Sequence, residues 1–282
     1  LILSISSGKG GTGKTTVSAA LAVALHDMGR QVNLYDCDVE EPNLHLFFDV
    51  KISDTDVVGV PVPDIDLEKC TGCGKCAEVC RYNAIAVFGK NVLTFHELCH
   101  GCGGCILACP EGAIKEVSRE VGVLESGFLD SIPYVGGRLR IGEAMSVPLI
   151  RAVKKKVDRS VISILDAPPG TSCPVVESVR GSDRALLVTE PTPFGLSDLM
   201  LAVGMIREMK IPFGVIINRV DMGDNRVVEY CRSEHIPVVL TIPDNRKIAE
   251  GYSRGEHLLK SASFLRPRFI EMFDRLSQEV VE

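Results

Sequence analysis

The chain of 282 residues has no surplus of cations: 31 Lys and Arg stand against 37 Asp and Glu, a formal charge of −6. A sequence-independent grip on nucleic acid needs clustered Lys and Arg that displace counterions from phosphates, so nucleic acid is excluded as a partner and an acidic partner is disfavoured. Long apolar runs are missing too. A bilayer span takes roughly 18 such residues, whereas the longest candidate here, VSAALAVAL at 17–25, is short and reads as a helix. No charged segment or cleavage site stands ahead of the first strand-like run, LILSIS, and the expectation is a cytoplasmic protein without a membrane partner. What is present, 45% hydrophobic residues, suffices for a large core, either as one domain or as a domain with a smaller module. Eleven cysteines would suggest disulfides, but eight lie in two tight, matching runs, which in a cytosolic chain points to metal.

Short β-branched runs at Leu1–Ser6, Val32–Tyr35, Val161–Leu165, Ala185–Val188, Phe213–Ile217 and Val238–Ile242 alternate with helical stretches. They are apolar almost throughout, as strands of a parallel sheet covered on both faces should be, so the fold class is α/β with helices on both faces. From Asp64 to about Ser118 the pattern changes to Cys, Gly and short loops. This predicts an inserted module at 64–118, with 1–63 and 119–282 forming one α/β domain around it. The insert is a duplication: a shift of 29 positions (99 − 70) carries Cys70, Cys73, Cys76 and Cys80 onto Cys99, Cys102, Cys105 and Cys109. Near the end, Phe269, Phe273, Leu276 and Val280 share a helical face, and Arg266, Arg268 and Arg275 are balanced by Glu271, Asp274, Glu279 and Glu282. A membrane-surface helix wants a basic polar face, so this one is expected to dock on the core. Lys154–Lys156 reads as the solvated C-terminal end of a helix, where cations favour the dipole.

Gly8, Lys9, Gly10, Gly11, Thr12, Gly13, Lys14 and Thr15 fit the phosphate-loop pattern G-x-x-x-x-G-K-[ST], followed by Thr16. The loop follows a strand and opens a helix, so successive N–H groups and the positive helix end can cradle phosphates. Lys14 then reaches the terminal phosphates, and Thr15 can ligate Mg²⁺. Asp36 and Asp38 end the second strand, and Asp166 ends a later one. All three lie at carboxyl ends of strands, the edge where an open α/β sheet binds ligands. Lys9 is a second lysine that the pattern does not require.

These stretches, KGGTGKTT, DCDVEEPN, DAPPGT, IINR and IPDNRKIAEGYSRG, resemble the deviant Walker A ATPases, which include the MinD, ParA and Mrp-type proteins and the nitrogenase iron protein. The resemblance implies ATP/ADP and Mg²⁺ as ligands, and a nucleotide-dependent homodimer in which Lys9 reaches the phosphates held by the other copy. Asp38 would position the attacking water, while Asp36 and Asp166 would hold magnesium. Asn218 and Arg219 of IINR, with Pro243 and Asp244, would contact the nucleotide, chiefly at adenine.

The cysteine runs match the C-x2-C-x2-C-x3-C spacing of bacterial dicluster ferredoxins, whose fourth cysteine ligates the other cluster. That resemblance implies two [4Fe–4S] clusters in a small α+β module, one held by Cys70, Cys73, Cys76 and Cys109 and the other by Cys99, Cys102, Cys105 and Cys80. Zinc is the alternative metal. Arg81 follows Cys80 where the pattern has proline, and a cation there favours the reduced state, so the cluster on Cys80 is expected at the higher potential. Cys173 lies seven residues after Asp166, as the cluster-bridging cysteine of the nitrogenase iron protein does, but no second such cysteine occurs near Tyr134–Arg140. It reads as a bridging ligand, a packing residue of the switch region or a redox-sensitive thiol; Cys37 and Cys231 read as small buried hydrophobes. The expected function is ATP-state-governed electron delivery to a redox partner. The alternative is an iron–sulfur carrier or scaffold serving an acceptor protein. Spatial regulation at a membrane leaves the cysteines unexplained.

Overall fold

The structure is a computed structural model, and it describes residues 1–278. Glu279, Val280 and Glu282, expected on the last helix, lie outside the described residues. The chain runs β1 (Ile2–Ser6), α1 (Lys14–Asp27), β2 (Val32–Asp36), then a long β3 (Val50–Ile65). Next comes a small module with α2 (Lys75–Val79), the hairpin β4 (Ile85–Phe88) and β5 (Asn91–Thr94), and α3 (Gly104–Ala108). The chain returns along β6 (Ile114–Leu129) and β7 (Ile132–Leu139), then alternates through α4 (Val147–Lys155), β8 (Ile162–Asp166), α5 (Cys173–Val179) and β9 (Arg184–Thr189). It closes with α6 (Pro193–Glu208), β10 (Phe213–Ile217), α7 (Arg226–Ser233), β11 (Val238–Thr241), α8 (Arg246–Ser253), α9 (Leu258–Ser261) and α10 (Arg266–Gln278).

One sheet takes the order β11-β10-β9-β1-β8-β2-β7-β6-β3, parallel from β11 to β7 and antiparallel beyond. The six apolar runs named from sequence form six of its seven parallel strands, β7 being the seventh. Successive strand residues face opposite sides, and each side finds its own helices. Leu3, Ile5, Leu186 and Ile216 pack with α1 and α10, whereas Ala185, Leu187, Val215 and Ile217 pack with α6 and α7. In α10, Phe269, Met272, Phe273 and Leu276 are buried on that first face. The helix is pinned to α1 and the turn after it by an Arg266–Asp27 ion pair and by Arg30–Asp274 at 3.4 Å.

β3, β6 and β7 were not legible in the sequence. β3 and β6 pair from Val50↔Leu129 to Ile65↔Ile114, an antiparallel ribbon whose outer half leaves the sheet. Most of β3 is exposed on both sides, so no alternation of apolar and polar residues marks it. Pro61 and Pro63 argue against a strand, yet β3 is the edge strand, where a missing N–H costs no ladder bond. The ribbon runs through positions 64 and 118, and the irregular Cys- and Gly-rich part is confined to the segment between Ile65 and Ile114.

The ribbon base is locked by α4. Leu149 fills a notch left by two glycines: a Cβ on Gly122 of β6 would meet Leu149 Cδ2 at 2.9 Å, and one on Gly137 of β7 would meet Leu149 Cγ at 2.9 Å. Lys154 corrects the solvated reading. It is half-buried, and its Nζ donates to the Glu177 carbonyl at 2.5 Å and to the Arg180 carbonyl, satisfying the last turn of α5.

Candidate functional site

β1 ends at Ser6, and the chain turns through 7–13 into α1. Ser7 Oγ donates to the Lys9 carbonyl at 2.8 Å, fixing the start of the loop. Gly8 is required by close approach, since a Cβ there would lie 2.2 Å from the Asp198 carbonyl oxygen of α6. Gly13 is required twice over: its φ is +93°, and a Cβ would lie 2.4 Å from Asn218 Nδ2. Asn218 Nδ2 donates to the Thr12 carbonyl at 2.9 Å, tying the end of β10 to the loop.

Gly10, Gly11, Gly13, Lys14, Thr15 and Thr16 form one wall of an open cleft. Asp38, Asn218, Arg219, Pro243 and Asp244 line it elsewhere. Gly8, Lys9, Thr12, Asp36 and Asp166 are not part of its lining; Lys9 is half-exposed on the loop, and Thr12, Asp36 and Asp166 are buried beneath. Lys14 Nζ lies 3.1 Å from Asp166 Oδ1 and 3.5 Å from Asp38 Oδ2. Asp166 also accepts from Thr15 Oγ1 and Ser18 Oγ, each at 2.8 Å. Asp36 accepts from the backbone N–H groups of Asp38 at 3.1 Å and Leu44 at 3.5 Å, so it shapes the loop that carries Asp38.

Sequence reasoning missed Ser18 and the apolar end of the cleft. Ser18 stands one helical turn after Lys14, on the same face of α1, a spacing that could have flagged it. Phe47, Ile248, Tyr252 and Leu258 line the cleft, with the Phe47 and Tyr252 rings 5.5 Å apart. Tyr252 lies within the quoted IPDNRKIAEGYSRG stretch, but nothing in the sequence brings Phe47 to it.

The module holds two further hollows. One is walled by Cys70, Cys73, Cys76 and Cys109. The other is walled by Cys80, Cys99, Cys102 and Cys105. Each hollow takes three cysteines from one repeat and the fourth from the other. Among the described residues no three Cys, His, Asp or Glu side chains gather tightly enough to hold a single metal ion. The four thiols of each set line the walls of their hollow. Backbone N–H groups of Ala84, Gly101 and Ala113 donate to the sulfurs of Cys80, Cys99 and Cys109 at 3.3, 3.4 and 3.3 Å.

The sequence matches the CobQ/CobB/MinD/ParA nucleotide binding domain over residues 3–259. The chain belongs to that family. An uncharacterized protein of Methanocaldococcus jannaschii is 34% identical over 225 residues, 79% of each chain. An iron-sulfur cluster carrier protein of Aquifex aeolicus is 25% identical over 299 residues, covering 99% of this chain and 68% of that one. Among solved structures, the cell division ATPase MinD of Pyrococcus furiosus superposes with a TM-score of 0.57 at 24% identity, covering 98% of both chains, and shares the fold.

In this MinD/ParA family member the electrostatics beneath the loop are unbalanced, with three buried acids facing one lysine. Burial draws the Lys14 ammonium down, but Asp166, Asp38 and Asp36 more than offset it and hold its pKa above the ordinary value. Burial, with the Asp166 charge added, pushes Asp36 well above the carboxylate range against the pull of Lys14. Asp38 is pushed up to about 6, again chiefly by burial, with Lys14 opposing and Asp166 assisting. A surplus of buried negative charge of this kind fits a divalent cation brought in with a nucleotide. Cys37 and Cys231 are buried, and burial pushes both thiols up, that of Cys231 to about 11. Cys173 is exposed at the start of α5. No helix among the described residues is long and apolar enough to cross a membrane.

Proposed function

We propose that the chain is an ATPase whose nucleotide state governs electron transfer through two [4Fe–4S] clusters held in its inserted ferredoxin-like module. The observation that carries this reading is the division of eight cysteines between two hollows in crossed sets of three and one. The glycine-lined loop and the N-terminal end of α1 hold the phosphates of ATP or ADP. Lys14 exchanges Asp166 and Asp38 for phosphate oxygens, and Thr15, with Asp166 and Asp36, holds Mg²⁺ directly or through water. Asp38, buried at the cleft wall yet reaching it, orients the attacking water. Asn218, Arg219, Pro243 and Asp244 border the base, and the Phe47–Tyr252 wall offers it an apolar face. Two copies pair across their nucleotides, and each half-exposed Lys9 stabilises charge on the other copy's phosphates, making hydrolysis conditional on pairing. The clusters, when bound, supply one-electron storage; the eight thiolates and the backbone donors around them set its potential.

A second reading, a carrier or scaffold for iron–sulfur clusters, is favoured by similarity that spans 99% of this chain, and 68% and 66% of theirs, to two proteins that bear the name iron-sulfur cluster carrier. It needs a labile cluster that can leave, and the thiol that remains in the C-terminal part, Cys231, is buried. Anaerobic purification with iron and sulfide analysis, then EPR of the reduced protein with and without ATP, tests the first reading. Two reducible clusters whose spectra respond to ATP are expected. Clusters indifferent to ATP, together with ATP turnover indifferent to cluster reduction, would sink the coupling. Transfer of intact clusters to an apo-acceptor would favour the carrier.

A further inference from the structure

We infer that the chain holds its two clusters at inner and outer positions along the ribbon, with the inner ligand set at the higher potential, so that an electron entering at the outer end comes to rest beside the nucleotide-binding body. This rests on the cluster reading above and adds a direction to it. The hollow of Cys80, Cys99, Cys102 and Cys105 is walled by Pro61, Val62 and Pro63 of β3 and Glu116 of β6. Cys99 packs on Val60, Val62 and Val121 of the ribbon together with Met145, which leads into α4 of the body. Two further contacts clamp this half of the module to β3. His96 Nε2 lies 2.9 Å from the Pro63 carbonyl, and a Cβ on Gly101 would come within 3.0 Å of the Pro61 carbonyl.

The hollow of Cys70, Cys73, Cys76 and Cys109 is walled by Ile65, Ala113 and Ile114, where the ribbon ends. From Val62 to Ile65 the strand advances about 10 Å, so one site is nearer the body by roughly that step. Between the hollows lies the apolar core of the module, with Cys76, Ile85, Cys105, Ile106, Cys109 and Ile114.

The surroundings of the two sites are unequal. Backbone N–H groups reach Cys105 at the inner site and Cys76 at the outer site alike; beyond these, Ala84 and Gly101 donate to Cys80 and Cys99 at the inner site and Ala113 to Cys109 at the outer, so the inner set has one donor more among the described residues. Donation to a thiolate sulfur stabilises the more negative, reduced state and raises the potential. Exposed cations stand beside both sites, Arg81 next to Cys80 and Lys69 and Lys75 next to Cys70 and Cys76, with Lys69 paired to Asp66, and salt screens them, so the order of the two potentials follows the N–H donors. The acids offset one another, Glu116 at the inner wall and Glu111 at the outer. A reduced one-electron donor protein is oxidised as the outer site gains one electron. That electron then passes inward, the outer site returns to its oxidised state, and no bond or proton changes hands.

The test is an EPR-monitored titration of the full-length, cluster-loaded protein with dithionite. Two separate reductions are expected. In Arg81→Gln the first should move to lower potential while the second stays in place, and added salt should shrink the shift. Cys102→Ser should alter the signal reduced first and Cys73→Ser the one reduced second, which assigns the sites without Arg81. Two centres of equal midpoint, or Cys73→Ser altering the first signal, overturn the inference while leaving the clusters intact. Protein free of iron and acid-labile sulfide overturns the cluster reading itself, and the inference with it.

Discussion

Lys14 does two things at once. Before phosphate arrives it is the one lysine set among Asp36, Asp38 and Asp166, and removing it leaves buried carboxylates without a counter-charge. Truncating one side of such a buried pair costs about 3–5 kcal/mol, so Lys14→Met should lower the urea midpoint of the free protein as well as abolish nucleotide binding. Asp38 gives a pH signature. Its folded-state pKa, about 6, exceeds the ordinary 3.8, so its contribution to stability is fully present below 3.8 and is lost as pH rises through 6. Melting temperatures of the free protein should therefore fall across that window, and Asp38→Asn should flatten part of the decline. Asp36, also raised, contributes in the same direction. Mg²⁺ with nucleotide favours the ionised carboxylates, and its presence should reduce the slope.

Among elements, α4 stands between the ribbon and the segment that follows Asp166. Its Leu149 sits in the Gly122 and Gly137 notch of β6 and β7, and Arg151 pairs with Glu177 of α5 at 3.1 Å while Lys154 caps that helix. A fully buried leucine in a close-fitting notch loses about 2–5 kcal/mol on truncation, the expected cost of Leu149→Ala in a chemical denaturation curve. Gly137→Ala should destabilise for the opposite reason. Its methyl would lie 2.6 Å from Val39 Cγ1 and 2.9 Å from Leu149 Cγ, both side chains being packed.

At the scale of the whole molecule, the nucleotide cleft and the cysteine-lined hollows lie on different parts of one chain, joined through the sheet edge and the ribbon. Lys9 belongs to this scale, because it is not part of the cleft lining of its own copy. Lys9→Ala should leave nucleotide affinity nearly unchanged in equilibrium binding. It should lower ATP turnover by about 10³-fold, the lower end of what a charge supplied in trans contributes. A variant that keeps full turnover, or wild-type protein that stays monomeric by light scattering with ATP and Mg²⁺, would remove the paired mechanism.

The sequence by itself determined what short spacing can encode. The phosphate loop needs glycines, a lysine and a threonine at adjacent positions, and six of the seven parallel strands announce themselves because burial on both faces demands unbroken apolar runs. The intervals of the eight cysteines divide them into two matching runs, and the structure gathers them around two hollows. Tertiary structure alone decided the rest. Most of β3 is exposed on both faces, so no periodicity betrays it, and its prolines are tolerated only because it came to lie at the sheet edge. Phe47 meets Tyr252, and Lys154 meets the end of α5, only after distant segments pack. A residue's partners across the fold leave no local pattern in the chain.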